Sequence, residues 1–188
     1  MMRPRPWMGA EGIAMRTLSI TVGLVLGLAT PAAAEIASRS EDAFTLTFST
    51  RTQYGPGRIT GSLEGLQHWW DPAHTYTGDA ANLSLDLTPG GCWCERLADG
   101  ADFDHGRTVS VTPGEILFHA PFGPLRAMAT RADLTVAWSL VGREMEPSWT
   151  FVVEGPGVGA MAEAVDGVME GGFRRWIHWL ETGPYPAP

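Results

Sequence analysis

"GAMAEAVDGVMEGGFRRWIHWL", residues 159–180, decides the fold. Met161, Val165, Val168, Met169, Phe173, Trp176 and Leu180 recur at three- and four-residue spacing, while Glu163, Asp166, Glu170 and Arg174 fill the opposite side. That period predicts an amphipathic helix with one face committed to a core. At 1.5 Å per residue it is roughly 30 Å long, enough to cross a sheet. Gly172 lies near the middle of an apolar arc that runs from Ala164 through Met161, Val165 and Trp176 to Phe173. Against Ala, a glycine there costs about 1 kcal/mol of helix propensity and gives the core no side chain. Two readings stand: close helix–sheet contact or a kink at Gly171-Gly172, or a notch left for a ligand and walled by Trp176 and Trp179.

A lone amphipathic helix needs a partner surface, and the preceding sequence supplies strands. "AFTLTFST" (43–50) and "DLTVAWSLV" (133–141) alternate apolar and polar residues, which predicts half-buried strands. Further strands are read at 82–87, 92–97, 107–111, 115–120 and 148–155, with Pro89-Gly90-Gly91 and Pro113-Gly114 as turns. "LADGADFDHG" (97–106) reads as a polar, acidic loop; it lacks the length and closing glutamate of a calcium-binding EF-hand loop. "YGPGRITGSLEGLQHWW" (54–70) reads as a glycine-punctuated helical stretch, ended by Pro72, which pushes Asp71 out of the helical region. The expected class is α+β: a seven-stranded antiparallel sheet covered by the last helix, with two short helices after the first strand.

The start reads differently. Met15-Arg16, an apolar run at 18–29 and the small residues Ala32-Ala33-Ala34 have the three parts of a secretory signal, with translation beginning at Met1 or at Met15. The run is short of the roughly 20 residues of a membrane-spanning helix. Cleavage after Ala34 leaves 35–188 as a single domain, periplasmic or secreted. The whole chain has a formal charge of −8, and residues 1–34 hold Arg3, Arg5 and Arg16 against Glu11 alone, so the mature domain is more acidic still. That balance disfavours nucleic acid and anionic lipid as partners.

Two passages carry a family resemblance: "WWDPAHTYTGDAANLSLDLTPGGCWCE" (69–95) and "GPLRAMATRADLTVAWSL" (123–140), the latter followed by the final helix. Together they resemble the SRPBCC superfamily, the START and pollen-allergen-like helix-grip proteins. The nearest branch is that of exported bacterial members close to the ATPase-activator (AHSA-type) and polyketide-cyclase groups. The likeness spans about 41–181. It implies a curved seven-stranded sheet gripping the long helix around an apolar cavity, with apolar ligands in many members. It carries no catalytic residues, because the superfamily has no universal catalytic motif. The first helical stretch is also richer in glycine than the family pattern.

Candidate residues follow. Trp69 and Trp70 end the helical stretch beside the mouth expected of such a fold, where a large aromatic pair can cap a cavity with few rotatable bonds. Tyr76, Trp93, Phe118, Phe122, Trp138, Met169, Gly172 and Trp176 complete the expected cavity lining, although alternation alone leaves open whether the Trp93 and Glu95 face or the cysteine face of their strand looks inward. His74, Glu95 and His119 are the candidate acid–base groups; Glu95, if it faces the cavity, is expected to have a raised pKa. Cys92 and Cys94 point the same way on a strand, with an expected Cα separation of roughly 6.5–7 Å, at the limit for a disulfide. Three readings of them stay open: two reduced buried thiols, a labile Cys92–Cys94 bridge, or a thiolate pair for a soft metal with His68, His74 or His119. Two thiols fall short of a four-ligand zinc site, and no cofactor motif is legible. "GPGVG" (155–159) lacks the lysine and spacing of a nucleotide loop. Nothing in the residues fixes an oligomeric state.

The functional expectation is an apolar or aromatic small molecule held between sheet and helix. The competitors are a cyclase- or hydratase-type enzyme that uses a cavity carboxylate or histidine, and a protein-interaction module of the ATPase-activator type.

Overall fold

Alternation builds the sheet. In β2 (Ala43–Ser49), Phe44, Leu46 and Phe48 are buried on one face while Thr45 and Thr47 take the other. The same rule orients β3 (Leu83–Leu85), β4 (Cys92–Arg96), β6 (Glu115–His119), β7 (Arg131–Val141) and β8 (Glu144–Glu154). The structure is a computed structural model that describes Met1 and residues 35–184; the signal segment read at 1–34 lies outside the described residues apart from Met1.

The sheet has eight strands, not the expected seven. β1 (Glu35–Arg39) adds an edge beside β2. It is short and mostly exposed, and its pairing shifts between Ile36 and Ser38, so it shows no alternation to read. β5 (Asp102–Thr112) starts inside the stretch read as an acidic loop, whose second half (102–106) is therefore strand. The order is β1-β2-β8-β7-β6-β5-β4-β3, antiparallel throughout. Because β2 pairs with β8, the chain must cross from one end of the sheet to the other between β2 and β3. Two short helices make that crossing: α1 (Pro56–Glu64), opened by a proline in its first turn, and α2 (Leu66–Trp69). A third short helix, α3 (Leu125–Met128), lies between β6 and β7.

α4 (Ala162–Thr182) follows a 3₁₀ turn at Val158–Met161. It packs on the apolar face of the sheet, where Phe48 pairs with Trp149, Leu46 with Phe151, and Leu134 with Phe151 across neighbouring strands. The result is the helix-grip arrangement of one antiparallel sheet around a long C-terminal helix. Among the described residues no helix is long and apolar enough to cross a membrane.

Candidate functional site

The two halves of α4 meet different surroundings. In its second half Gly172, Phe173, Trp176 and Leu180 are buried. Trp176 stacks on Trp149 with ring centres 5.5 Å apart, and Phe173 meets Trp149 edge-on at 5.5 Å. The Trp176 indole donates to Ser62 Oγ at 2.8 Å, and Ser62 Oγ donates in turn to the Ile59 carbonyl at 2.7 Å. Gly172 leaves no notch here: a Cβ on it would stand 3.1 Å from Trp70 Cζ3 and 3.5 Å from Trp149 Cζ3. Two indoles fill the space, so the glycine serves close contact.

Beneath the first half lies a cavity of about 580 Å³. Met161, Ala164, Val165, Val168 and Met169 form its roof, and Trp93 of β4 with Leu83 of β3 contribute from the sheet. The turn before α3 (Phe122, Gly123, Pro124, Leu125) closes one side, and Trp70 with residues 74–76 closes another. Trp70 meets Trp93 edge-on at 5.3 Å and Phe122 at 5.9 Å, and its indole donates to the His74 carbonyl at 3.2 Å. Asp71 caps the short turn at Pro72–His74 by accepting from the Ala73 N–H. Arg175 fastens this edge to α4, donating to the Trp69 carbonyl at 3.0 Å and lying 3.3 Å from Asp71 Oδ2.

Of the aromatic and apolar candidates, Trp70, Tyr76, Trp93, Phe122 and Met169 come together around this cavity, and so does His74. The others lie elsewhere. Trp69 is core, its indole donating to the Ser62 carbonyl at 3.0 Å. Phe118 is buried behind Trp93, with ring centres 6.0 Å apart. Trp176 belongs to the packed half. Trp138 shares a face with Leu134 and Val136 but sits near the β7–β8 turn, paired with Pro147. His119 follows Phe118 on its strand, so it faces away; it is exposed, with Nδ1 3.3 Å from Asp133 Oδ1.

Alternation in β4 puts Trp93 and Glu95 on the inner face and the cysteines on the outer one. Cys92 and Cys94 are joined in a disulfide with Cα atoms 5.2 Å apart, closer than the expected 6.5–7 Å and within the ordinary span of such a bond. Neither sulfur is then a free thiol or a thiolate for a metal. Among the described residues no cluster of three or more His, Cys, Asp or Glu could hold a metal ion.

An irregularity in the β4–β5 ladder supplies a residue that sequence reading missed. Cys94 pairs with Asp104 and Trp93 with Gly106, so His105 is the extra residue of a β-bulge. A bulge re-aims side chains, and His105 is buried against Glu95, with Nε2 2.8 Å from Glu95 Oε2. It also borders the cavity. Glu95 is wholly buried; its Oε2 accepts from the Tyr76 N–H at 3.0 Å and its Oε1 from the Thr77 N–H at 2.6 Å. Burial pushes its carboxyl up, but the hydrogen bonds from Tyr76, Thr77 and His105 together outweigh it and hold the pKa below the ordinary value. The expected raised pKa is thus reversed, because burial comes here with several donors aimed at the charged form.

No family model and no curated protein matches the chain. Solved structures do. Protein MLL2253 from Mesorhizobium loti is 11% identical, with a TM-score of 0.54 over 75% of this chain and 99% of that one. The di-domain ARO/CYC BexL from the BE-7585A biosynthetic pathway is 17% identical, with a TM-score of 0.52 over 79% of this chain. The match takes in 52% of BexL, about half of that di-domain protein. Protein NE0264 from Nitrosomonas europaea is 17% identical, with a TM-score of 0.51 over 73% of this chain and 91% of that one. At such identities the likeness is one of fold.

Proposed function

We propose that the chain is an exported binding protein of SRPBCC type that holds an apolar or aromatic small molecule in the cavity under the first half of α4. The carrying observation is the cavity itself. Its volume of about 580 Å³ suits a small molecule, and its lining is apolar apart from residues at 74–76 and His105. Burial at about 25 cal/mol per Å² of apolar surface drives binding, and the few polar groups set orientation. The fold likeness to BexL, an ARO/CYC protein by name, agrees with a small-molecule cavity. Export is supported by the signal-like start and by a disulfide that an oxidising compartment would maintain.

The experiment is native mass spectrometry of protein recovered from the export compartment, alongside fluorescence titration with flat aromatic and fatty-acid probes. Quenching is expected, because Trp70 and Trp93 line the cavity. Ala164→Trp, which fills it from the roof, is expected to abolish the quenching. Unchanged quenching in that variant, or none in the native protein across the panel, overturns the reading. Intact mass also tests export, since a mature chain beginning at Glu35 is expected.

A cyclase- or hydratase-type activity is the second reading. The observation in its favour is His105 at the cavity wall with the buried Glu95 behind it, which places an imidazole beside any bound molecule.

A further inference from the structure

The chemistry of the Glu95–His105 pair narrows the ligand class. Glu95 already has two backbone donors, from Tyr76 and Thr77, and they favour its ionised form. A carboxylate only accepts, so His105 Nε2 must be the donor across their 2.8 Å contact. A neutral ring with its proton on Nε2 keeps a lone pair on Nδ1. The ring has little freedom to turn: Tyr76 stacks on it at 5.4 Å, and Phe103 meets it edge-on at 5.0 Å. Mere satisfaction of Glu95 would not require the histidine to border a cavity, yet His105 does so, through a bulge that gives it no partner in the ladder.

We propose that His105, oriented by Glu95, reads the ligand: the cavity takes flat apolar molecules that carry a weakly acidic hydroxyl, a phenol or enol, and that hydroxyl donates to Nδ1 of His105. This rests on the cavity reading above. Glu95 is a positioning residue that acts through the ring. The aromatic body lies against Trp70, Trp93 and Phe122, and the hydroxyl meets the one basic nitrogen the pair leaves open. A ligand with the same body and no proton to give leaves that nitrogen unpaired in a largely apolar site, and loses affinity accordingly.

The test uses naphthalene, 2-naphthol and 2-methoxynaphthalene in calorimetric and fluorescence titrations of the full domain. 2-Naphthol is expected to bind about tenfold tighter than 2-methoxynaphthalene, the value of one well-made hydrogen bond. His105→Phe, which keeps a ring between Tyr76 and Phe103, is expected to bring that ratio to about one. Nitrogen NMR of the unliganded native protein, which depends on no variant folding, is expected to find the His105 proton on Nε2. Equal affinity for the naphthol and its methyl ether, or a proton on Nδ1, overturns the proposal and leaves the cavity reading standing. Failure of all three probes to bind overturns both.

Discussion

Both halves of α4 turn an apolar face to the sheet, but only one half is packed solid against it. Under Gly172–Leu180, indoles and phenyl rings lie against one another in a continuous layer from Phe48 through Phe173 to Trp149 and Trp176. Under Met161–Met169, aliphatic side chains face open volume. Residue size separates them: the roof uses Ala, Val and Met where the packed half uses Phe and Trp. The sealed half provides stability, which leaves the open half free to keep a cavity. The layer is not flawless, since among the described residues the buried Trp149 Nε1–H has no acceptor. Such an orphan costs about 1–3 kcal/mol, and the surrounding burial outweighs it.

The sharpest way to break this contrast is to truncate one indole from each half. Trp176→Ala removes a wholly buried ring and the donor to Ser62, and is expected to cost about 3–5 kcal/mol in urea denaturation. Trp70→Ala, beside existing empty space, is expected to cost less than half as much and to weaken probe binding instead. Equal losses would erase the distinction.

Next comes Glu95→Ala, expected to cost about 2–4 kcal/mol because two backbone donors and His105 lose a charged partner. A carboxylate whose folded pKa is lowered stabilises fully above its unfolded value, ordinarily 4.5. That stability fades as pH falls below 4.5 and is gone once pH passes the folded value. Acid unfolding followed by circular dichroism is therefore expected to be shallower in Glu95→Gln than in the native protein.

Reduction of Cys92–Cys94 is expected to cost less, about 1–2 kcal/mol, since the bridge closes a very short loop. Because the bridge lies on the outer face, probe affinity is expected to hold in the presence of a reductant. Asp166, on α4, has its pKa raised by burial and then by Glu170, and one of its oxygens is buried without a partner. A raised acid pKa means the ionised form disfavours folding above the unfolded pKa. Asp166→Ala is thus expected to raise the melting midpoint at neutral pH, by about 0.5–1 kcal/mol of stability. The smallest effect is expected at Gly172→Ala. Its methyl presses Trp70, which borders empty space and can yield, so the helix-propensity gain of about 1 kcal/mol is largely offset. A shifted tryptophan emission with a near-unchanged midpoint is the signature; a large loss would mean that Trp70 is as fixed as Trp149.

Legibility in the sequence followed the same contrast. α4 was readable because its 3.6-residue period is unbroken, and β2 and β7 because they alternate cleanly. The cavity wall was readable where an aromatic residue sits next to a turn, as at Trp70, Tyr76 and Phe122. What escaped depends on distant neighbours. The spacing around Gly172 is the same whether the gap is empty or filled by an indole from a hundred residues away. Trp138 has the right face of β7 but lies too far along it. The bulge helped to disguise "DFDHG" (102–106) as loop, because an inserted residue breaks the alternation by which strands are recognised. The one local hint was Gly106, where a Cβ would meet the His119 carbonyl at 2.6 Å, the mark of backbones drawn close together.

The surplus rung at His105 on β5 has a genetic corollary. Loss of one codon, the one for His105, would let the two rails zip in regular step and leave a smooth hydrocarbon wall with a stranded carboxylate behind it. The basic ring at this chamber's wall is therefore one deletion away from being erased, and one insertion away from having been acquired.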